Sequence, residues 1–262
     1  MLTIAYDGTG YVGWQIQKNG LAVEQVINST LSQLLNEDVT VIGCSRTDSG
    51  VHARGNIAVF DTDTRIPPEK ICYALNQRLP EDIRIVKSQE VPANFHPRHV
   101  KCKKTYEYSI LNCRYNDPIL RLYTDHIYYE LDLGLMQRGA DFLVGEHDFI
   151  AFSTAGGQQK TSVREIYSIN VGYEYLDKDA DQTDDTRRDY RPKLVKIRVC
   201  GNGFLYNMVR IIAGTLEKVG MGIYPPEYVA QILESRDRSK SAPKAPARGL
   251  MLVGIDYDRQ DI

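Results

Sequence analysis

The sequence predicts an α+β fold built from two ferredoxin-like halves, each of the β-α-β-β-α-β type. The first third of the chain alternates short apolar or β-branched runs with amphipathic stretches of helical period. The rest of the chain repeats this alternation in a larger form with insertions. We therefore expect both halves to share one mixed, mostly antiparallel sheet with helices on one face, although no sequence repeat joins them.

The N-terminal half, residues 1–95, is predicted to contain four strands and two helices. The predicted strands are Leu2–Tyr6, Val39–Cys44, Asn56–Phe60 and Ile83–Val86. Ala22–Leu35 carries apolar residues at helical spacing. Pro67-Pro68 opens a second helix that continues to about Arg78, because proline is tolerated in a first helical turn. The polar loop Ser45–Gly55 joins the second strand to the third.

The C-terminal half, residues 96–262, is predicted to be longer and less regular. Its predicted strands are Lys104–Leu111, Asp125–Glu130, Val163–Glu174, Lys193–Cys200 and Gly249–Tyr257. Its predicted helices are Leu133–Leu143, Phe204–Val219 and Pro226–Ser235. A loop rich in Gly, Thr, Ser and Gln covers Ser153–Thr161, and an acidic loop, Asp177–Arg191, connects the strands of a long hairpin.

The composition is that of a globular protein. The chain has 262 residues, of which 25% are charged and 42% are hydrophobic. It contains neither a run of ~18 apolar residues, which a membrane-spanning helix needs, nor the pattern of a signal peptide. The five cysteines are scattered and never form a Cys-x-x-Cys pair. We therefore expect a cytoplasmic protein with reduced cysteines and no membrane association.

The segment Gly8-Thr9-Gly10-Tyr11-Val12-Gly13 fits the glycine spacing of dinucleotide-binding loops and follows a strand. Such a loop needs a helix that begins at the glycines, whereas here the amphipathic helix begins only after Gly20. Asp7-Gly8-Thr9 is also similar to the aspartyl phosphatase motif, but Ala5 stands at the position of the nucleophile. The sequence therefore predicts no nucleotide cofactor, and the glycines are interpreted as a tight turn.

Basic residues cluster in two stretches although the net charge is only −2. The candidate anion-binding residues are Arg98, Lys101, Lys103 and Lys104 in the first stretch, and Lys240 and Lys244 in the second. His96 and His99 lie in the first stretch, where the surrounding positive charge disfavours a metal ion. Two separated basic stretches can line one groove for a polyanion. Ordinary solvated surface is an equal alternative on charge alone.

Three motifs place candidate functional side chains at defined positions. Asp48 lies near the middle of the polar loop, where Arg46 and neighbouring hydroxyls can keep a nucleophilic or basic carboxylate ionised. A plain β-turn is the alternative. Strand alternation puts Lys104, Tyr106 and Tyr108 on one face, which is either a platform for stacking a nucleobase or a core face. Arg210 stands among apolar residues of its helix and needs an anionic partner there.

Taken in order, the motifs resemble those of the TruA-type family of tRNA pseudouridine synthases. The matching segments are Tyr6-Asp7-Gly8-Thr9-Gly10-Tyr11, Gly13-Trp14-Gln15, Arg46-Thr47-Asp48, Gly50-Val51-His52, Lys104-Thr105-Tyr106, Tyr108, Phe204-Leu205-Tyr206-Asn207-Met208-Val209-Arg210, Ala245-Pro246 and Gly249-Leu250. Two departures are visible. Ser45 stands where the family commonly has Gly or Ala, and the acidic hairpin tip at about Asp177–Tyr190 is longer than usual.

The resemblance implies an enzyme that converts uridine to pseudouridine in the anticodon arm of tRNA, at positions 38, 39 and 40, without cofactor or metal. Asp48 corresponds to the catalytic aspartate, which either attacks the sugar or abstracts a sugar proton. Tyr106 corresponds to the tyrosine that stacks on the target base, and Arg210 to the arginine that pairs with the aspartate. Arg46 is placed to hold the flipped nucleotide's phosphate or its vacancy in the stack. The family acts as a homodimer, with the active cleft between its two halves.

In this interpretation the basic stretches bind the tRNA backbone through Arg98, Lys101, Lys103, Lys104, Lys240 and Lys244. The alternative from a different functional class is a non-catalytic RNA-binding module on the same fold, in which Tyr106 stacks on a base and the lysines contact phosphates. Asp48 argues against that alternative, since a pure binder gains nothing from a carboxylate beside a polyanion.

Overall fold

The computed structural model describes residues 1–156, 161–176 and 192–258. These ranges contain ten β-strands, mostly antiparallel, and five α-helices, which confirms the predicted α+β class. The chain divides into two compact units, Met1–Thr105 with Met251–Ile262, and Tyr106–Leu250. Within the described ranges, no helix has the length and apolar character needed to cross a membrane. The predicted acidic loop at 177–191 and part of the predicted loop Ser153–Thr161 lie outside the described residues.

The first unit is a sheet with two helices. Its elements are β1 (Leu2–Tyr6), α1 (Val23–Leu35), β2 (Ile42–Gly43), β3 (His52–Val59), α2 (Ile71–Asn76), β4 (Ile83–Ser88) and β10 (Leu250–Tyr257). The strand order is β4-β1-β3-β10, and β2 also pairs with β3. β1 is antiparallel to both of its neighbours, whereas β10 runs parallel to β3 with Met251 opposite His52. Alternate residues of β1 are buried, as its apolar pattern predicts.

The second unit combines a hairpin sheet with three helices. Its elements are β5 (Cys102–Asn112), which begins in the first unit, β6 (Asp125–Ile127), α3 (Leu133–Asp141), β7 (Gly145–Asp148), β8 (Val163–Tyr175), β9 (Lys193–Gly201), α4 (Met208–Gly220) and α5 (Tyr228–Ser235). The strand order is β5-β9-β8-β7, with β6 parallel to β5. α4 is buried along almost its whole length and forms the centre of this unit.

The predicted second strand, Val39–Cys44, is wrong in length, since only Ile42–Gly43 pairs as a strand. Side chains of α1 explain the difference. The Ser32 hydroxyl accepts the amide of Val39 at 3.0 Å, and the Asn28 side chain accepts the amide of Val41 at 3.0 Å. These amides are therefore satisfied by a helix and do not enter a strand ladder.

Other boundaries also differ from the prediction. β3 begins at His52, so the end of the predicted polar loop is strand. The predicted helix from Pro67 to Arg78 is a 3₁₀ turn at Pro68–Lys70 followed by the short α2. The predicted helix Phe204–Val219 begins only at Met208, because Asn207 has a left-handed backbone with φ 61°. β7 was not predicted, because its polar sequence lacks strand alternation.

Candidate active site

Asp48 lies on the loop between β2 and β3, and a buried amide fixes the start of this loop. Asn56 of β3 is fully buried. Its Nδ2 donates to the carbonyl oxygen of Ser45 at 3.0 Å, and its Oδ1 accepts the amide of Ser45 at 3.3 Å. At the other end, the amide of Val51 donates to the carbonyl oxygen of Asp48 at 3.1 Å. The backbone on both sides of Asp48 is therefore tied into the fold.

Burial alternates along this loop. Ser45 and Thr47 are buried, Arg46 is exposed, and Asp48 is partly exposed. The Thr47 hydroxyl lies 2.7 Å from the hydroxyl of the buried Tyr6, whose pKa is raised because burial disfavours its charged form. This neutral pair anchors Thr47 in the core. The neighbouring Asp48 thereby lies next to a fixed residue and is itself partly exposed.

The glycine-rich segment after β1 packs directly against the Asp48 loop. A Cβ atom on Gly13, whose φ is +106°, would lie 2.5 Å from the carbonyl oxygen of Thr47. A Cβ atom on Gly8 would lie 2.0 Å from the carbonyl oxygen of Val51. The Tyr11 carbonyl accepts the amide of Gly50 at 3.3 Å. These glycines permit close approach of two backbones, which is a more specific role than the predicted tight turn.

His52 joins the same two segments from the other side of the loop. Its Nδ1 lies 3.1 Å from the amide nitrogen of Gly8 and 3.1 Å from Oδ1 of Asp7. Asp7 Oδ1 also accepts the amide and the hydroxyl of Thr9, at 3.0 and 2.6 Å. The ring of His52 is buried. The segment from Asp7 to Gly13 therefore acts as a scaffold for the Asp48 loop.

Two of the predicted phosphate-binding residues also support the chain just before this loop. Arg98 Nε donates to the carbonyl oxygen of Gly43 at 2.9 Å, and Lys104 Nζ donates to that of Cys44 at 3.2 Å. Lys101 and Lys103 are exposed. The first basic stretch thus contains residues with a visible structural role and residues that face solvent.

Tyr106 lies on β5 in the second unit, and its side chain is only 7% exposed. Its ring meets that of Phe204 edge to face, with centroids 5.3 Å apart. The predicted strand alternation is therefore right, since Tyr106 and Tyr108 are both buried. Stacking of Tyr106 on a base stays a prediction.

Arg210 is buried on α4 and its guanidinium is held in one orientation. Its Nε donates to the carbonyl oxygen of Ala245 at 2.8 Å, and its Nη1 donates to Oδ1 of Asn207 at 3.0 Å. Asn207 is itself fixed, since its Nδ2 donates to the Thr154 hydroxyl at 2.6 Å. Pairing of Arg210 with a carboxylate stays a prediction. Lys240 and Lys244, which precede Ala245 in sequence, are exposed.

A buried acidic cluster in the second unit was missed by the sequence reasoning. Glu217 of α4 is buried, and its Oε1 has no hydrogen-bond partner among the described residues. Burial, followed by the charge of Asp125, raises the pKa of Glu217 to about 8. Asp125 lies 3.4 Å from the Tyr108 hydroxyl and 3.1 Å from Nη2 of Arg248. The sequence signal that could have revealed this cluster is the presence of an acidic residue within the apolar run of α4.

The predicted site residues are divided between the two units. Arg46 and Asp48 share one loop of the first unit, whereas Tyr106 and Arg210 belong to the second. Among the described residues, no group of three His, Cys, Asp or Glu side chains is arranged to hold a metal ion. The rings of His96 and His99 stack on each other with centroids 3.8 Å apart.

Comparisons with known proteins agree on one family. The profile of a family described as tRNA pseudouridine synthase matches residues 2–99 and 140–258. The tRNA pseudouridine synthase A of Ruminiclostridium cellulolyticum is 49% identical over 256 residues, which cover 98% of each chain. Those of Acetivibrio thermocellus and Thermoanaerobacter sp. are 44% and 41% identical over 98% of each chain. The chain therefore belongs to the tRNA pseudouridine synthase family.

Proposed function

We propose that this chain is an isomerase that converts uridine to pseudouridine in the anticodon arm of tRNA, at positions 38, 39 and 40, with Asp48 as its catalytic group. The observation that carries the proposal is the match of the whole chain to tRNA pseudouridine synthases. The local structure supports it, because Asp48 is a partly exposed carboxylate on a loop tied down at both ends. Such a loop holds a reacting group in place before the substrate arrives.

The reaction rearranges one nucleotide, so Asp48 needs no external electron carrier. The bond between the sugar C1′ and uracil N1 breaks, a bond forms between C1′ and uracil C5, and the proton of C5 is lost while N1 gains one. Asp48 either attacks the sugar and is later displaced, or takes and returns a sugar proton. Both routes require an ionised carboxylate.

Three side chains complete the proposed site. Tyr106 stacks on the target base, and Arg46 holds either the phosphate of the flipped nucleotide or the place in the stack that the nucleotide has left. Arg210 pairs with the carboxylate of Asp48. The hydrogen bonds from Arg210 to Ala245 and Asn207 support its role, because they hold the guanidinium in one orientation. A buried guanidinium is stabilised by an anionic partner.

The exposed basic residues are proposed to contact the tRNA backbone. Lys101, Lys103, Lys240 and Lys244 are all exposed, so that their ammonium groups can reach phosphates. Arg98 and Lys104 would contribute charge while keeping their hydrogen bonds to the carbonyl groups that precede the Asp48 loop. The enzyme is further proposed to work as a cytoplasmic homodimer.

The finer description of the fold is also a proposal. The chain order β1-α1-β2-β3-α2-β4 follows the ferredoxin-like pattern, and β5-α3-β8-β9-α4-β10 follows it again when β6, β7 and α5 are treated as insertions. On this basis the chain consists of two ferredoxin-like halves, residues 1–95 and 96–262, with the active cleft between them.

The test is isomerisation of unmodified tRNA transcripts, with pseudouridine located by carbodiimide treatment and primer extension. The wild type should modify the anticodon arm. Asp48→Asn should form no product while its tRNA affinity stays within a few fold, because the shape of the loop is kept. Asp38→Asn, at an exposed position of the same unit, is the matched control and should behave as wild type.

Turnover of Asp48→Asn above a few per cent of wild type would contradict the role of Asp48. A wild-type protein that binds tRNA and forms no pseudouridine would instead support the non-catalytic RNA-binding module.

A further inference from the structure

A short segment of the second unit, residues 245–249, lies against α4 at Arg210. Arg210 Nε donates to the carbonyl oxygen of Ala245 at 2.8 Å, and the Ala245 amide donates to the backbone carbonyl oxygen of Arg210 at 3.0 Å. One turn further along α4, a Cβ atom on Gly214 would lie 2.3 Å from the carbonyl oxygen of Pro243, so the chain just before the segment also packs directly on the helix. The orientation of the Arg210 guanidinium therefore depends on where this segment lies.

The buried Tyr108 of β5 holds the same segment at its next carbonyl group. The Tyr108 hydroxyl donates to the carbonyl oxygen of Pro246 at 3.0 Å, and Oδ2 of Asp125 is a second, longer acceptor at 3.4 Å. Burial, followed by the charge of Asp125, raises the pKa of Tyr108, so the hydroxyl keeps the proton that it donates. A Cβ atom on Gly249 would lie 2.7 Å from Cζ of the Tyr108 ring, so the segment lies directly on this side chain.

The geometry of Pro246 couples the contact with Tyr108 to the contact with Arg210. The carbonyl group that Arg210 holds comes just before Pro246 in the chain, and the carbonyl group that Tyr108 holds is that of Pro246 itself. The proline ring fixes φ, here −53°, and the peptide bond that joins Ala245 to Pro246 is planar. Only one soft torsion, ψ of Pro246, separates the two carbonyl groups. A displacement of one carbonyl group is therefore passed on to the other.

Arg248 fixes the other end of the segment. Its Nε donates to the carbonyl oxygen of Thr124 at 3.0 Å, and its Nη2 donates to Oδ1 of Asp125 at 3.1 Å. Asp125 is buried, whereas the side chain of Arg248 is 47% exposed. Tyr108 and Arg248 thus meet at the same carboxylate, Oδ2 on one side and Oδ1 on the other. The two ends of the segment therefore share one buried anchor.

We propose that Tyr108 and Arg248 are positioning residues for the reaction, which hold residues 245–249 so that the Ala245 carbonyl group orients the guanidinium of Arg210. The inference rests on the role proposed above for Arg210. Neither Tyr108 nor Arg248 has to touch the substrate, because both act on the segment and the segment acts on Arg210. Reacting groups must be held to within about 0.5 Å of their productive geometry. A small displacement of the segment therefore lowers the rate of the chemical step and leaves tRNA binding in place.

The experiment compares the full-length wild type with two variants and a control. Tyr108→Phe removes only the hydroxyl, and Arg248→Lys keeps the positive charge but loses the planar fork of donors. Tyr173→Phe removes an exposed hydroxyl of β8 in the same unit and is the matched control. For each protein we measure the single-turnover rate of pseudouridine formation, the affinity for unmodified tRNA, and hydrogen exchange over residues 243–250 by mass spectrometry. A thermal melt shows that each variant is folded.

Tyr108→Phe should lower the single-turnover rate about tenfold while its tRNA affinity stays within about twofold, because the lost contact orients a reacting group and binds no substrate. Arg248→Lys should lower the rate at least about threefold. In both variants the amides of residues 243–250 should exchange at least about fivefold faster, since the Ala245 amide, which is bonded to Arg210, becomes less protected. The control should match wild type in all three measurements.

A wild-type rate in Tyr108→Phe would overturn the proposal, and so would a lower rate with unchanged exchange over residues 243–250. Equal falls in rate and in tRNA affinity would also overturn it, because Tyr108 would then act in binding. If Tyr108→Phe does not fold, the same outcomes for Arg248→Lys decide. If the wild type forms no pseudouridine at all, the proposed function fails, yet hydrogen exchange still shows whether Tyr108 and Arg248 hold the segment.

Discussion

Glu217→Gln should stabilise the protein, and the gain should depend on pH. Glu217 is buried in α4 and one of its oxygens has no hydrogen-bond partner among the described residues. Burial raises its pKa from the ordinary value of 4.5 to about 8. At neutral pH the folded chain therefore keeps a proton that the unfolded chain releases. Glutamine has the same shape and needs no such proton.

The magnitude follows from this difference in proton binding. An acid with a raised pKa in the folded state destabilises that state above the pKa of the unfolded chain. Between pH 4.5 and pH 8 the free energy of unfolding of wild type should fall relative to that of Glu217→Gln, by about 1.4 kcal/mol per pH unit. The difference reaches ~3 kcal/mol at pH 7 and levels off near ~5 kcal/mol above pH 8. These values are upper limits, since the new amide group also has to find partners.

The assay is a series of thermal melts of both proteins from pH 5 to pH 9. At pH 7 the melting temperature of Glu217→Gln should exceed that of wild type by up to roughly 6–12 °C. Glu234→Gln changes an exposed glutamate of α5 in the same unit, so it should alter stability by less than about 0.5 kcal/mol at any pH. A difference between Glu217→Gln and wild type that is equal at pH 5 and pH 9 would refute the reasoning.

Three further predictions concern the proposed site. Tyr106→Phe should keep most of the tRNA affinity and Tyr106→Leu should lose stacking worth about 1–3 kcal/mol, measured by tRNA binding; equal affinities would make Tyr106 a core residue only. The double variant Lys240→Glu/Lys244→Glu should weaken binding to all tRNA sequences and reduce the slope of log affinity against log salt by about one for each lost contact. An unchanged slope would show that the two lysines are only solvated surface. The double variant Asp48→Asn/Arg210→Met should have a higher free energy of unfolding than the sum of the two single changes predicts, because it leaves no buried charge unpaired. Additive free energies in chemical denaturation would show that the pair does not exist.

Local patterns were sufficient to predict much of the fold. The bounds of β1 match the prediction, and α1 follows the apolar spacing of its sequence. The length of β2 could not be predicted, because its shortening depends on Ser32 and Asn28, helical residues whose side chains accept the amides of the expected strand. The late start of α4 depends on the left-handed backbone of Asn207, whose side chain is fixed by Thr154 more than fifty residues away.

The candidate site was predictable to a similar degree. The loop with Asp48 could be recognised from its polar sequence between two apolar runs. The need for glycine at positions 8 and 13 could not be recognised from the sequence. It depends on how closely Gly8 and Gly13 approach the carbonyl groups of Val51 and Thr47. Contacts between residues far apart in sequence also explain why the raised pKa of Glu217 was not expected. A sequence shows which groups are present, but not which of them meet.

The parallel pairing of β10 with β3 has a consequence for biosynthesis. β10 belongs to the first unit, yet it follows the second unit in the chain and therefore leaves the ribosome after it. It lies against β3 at His52 and Ala53, directly after the Asp48 loop. The nascent N-terminal unit therefore waits for about 150 residues of the second unit before its sheet is complete. Such late, long-range pairing slows folding and leaves an open strand edge on β3 during translation. Premature termination before Leu250 would thus yield a chain in which β3, directly after the Asp48 loop, lacks its β10 partner, and which is a target for chaperones or proteases.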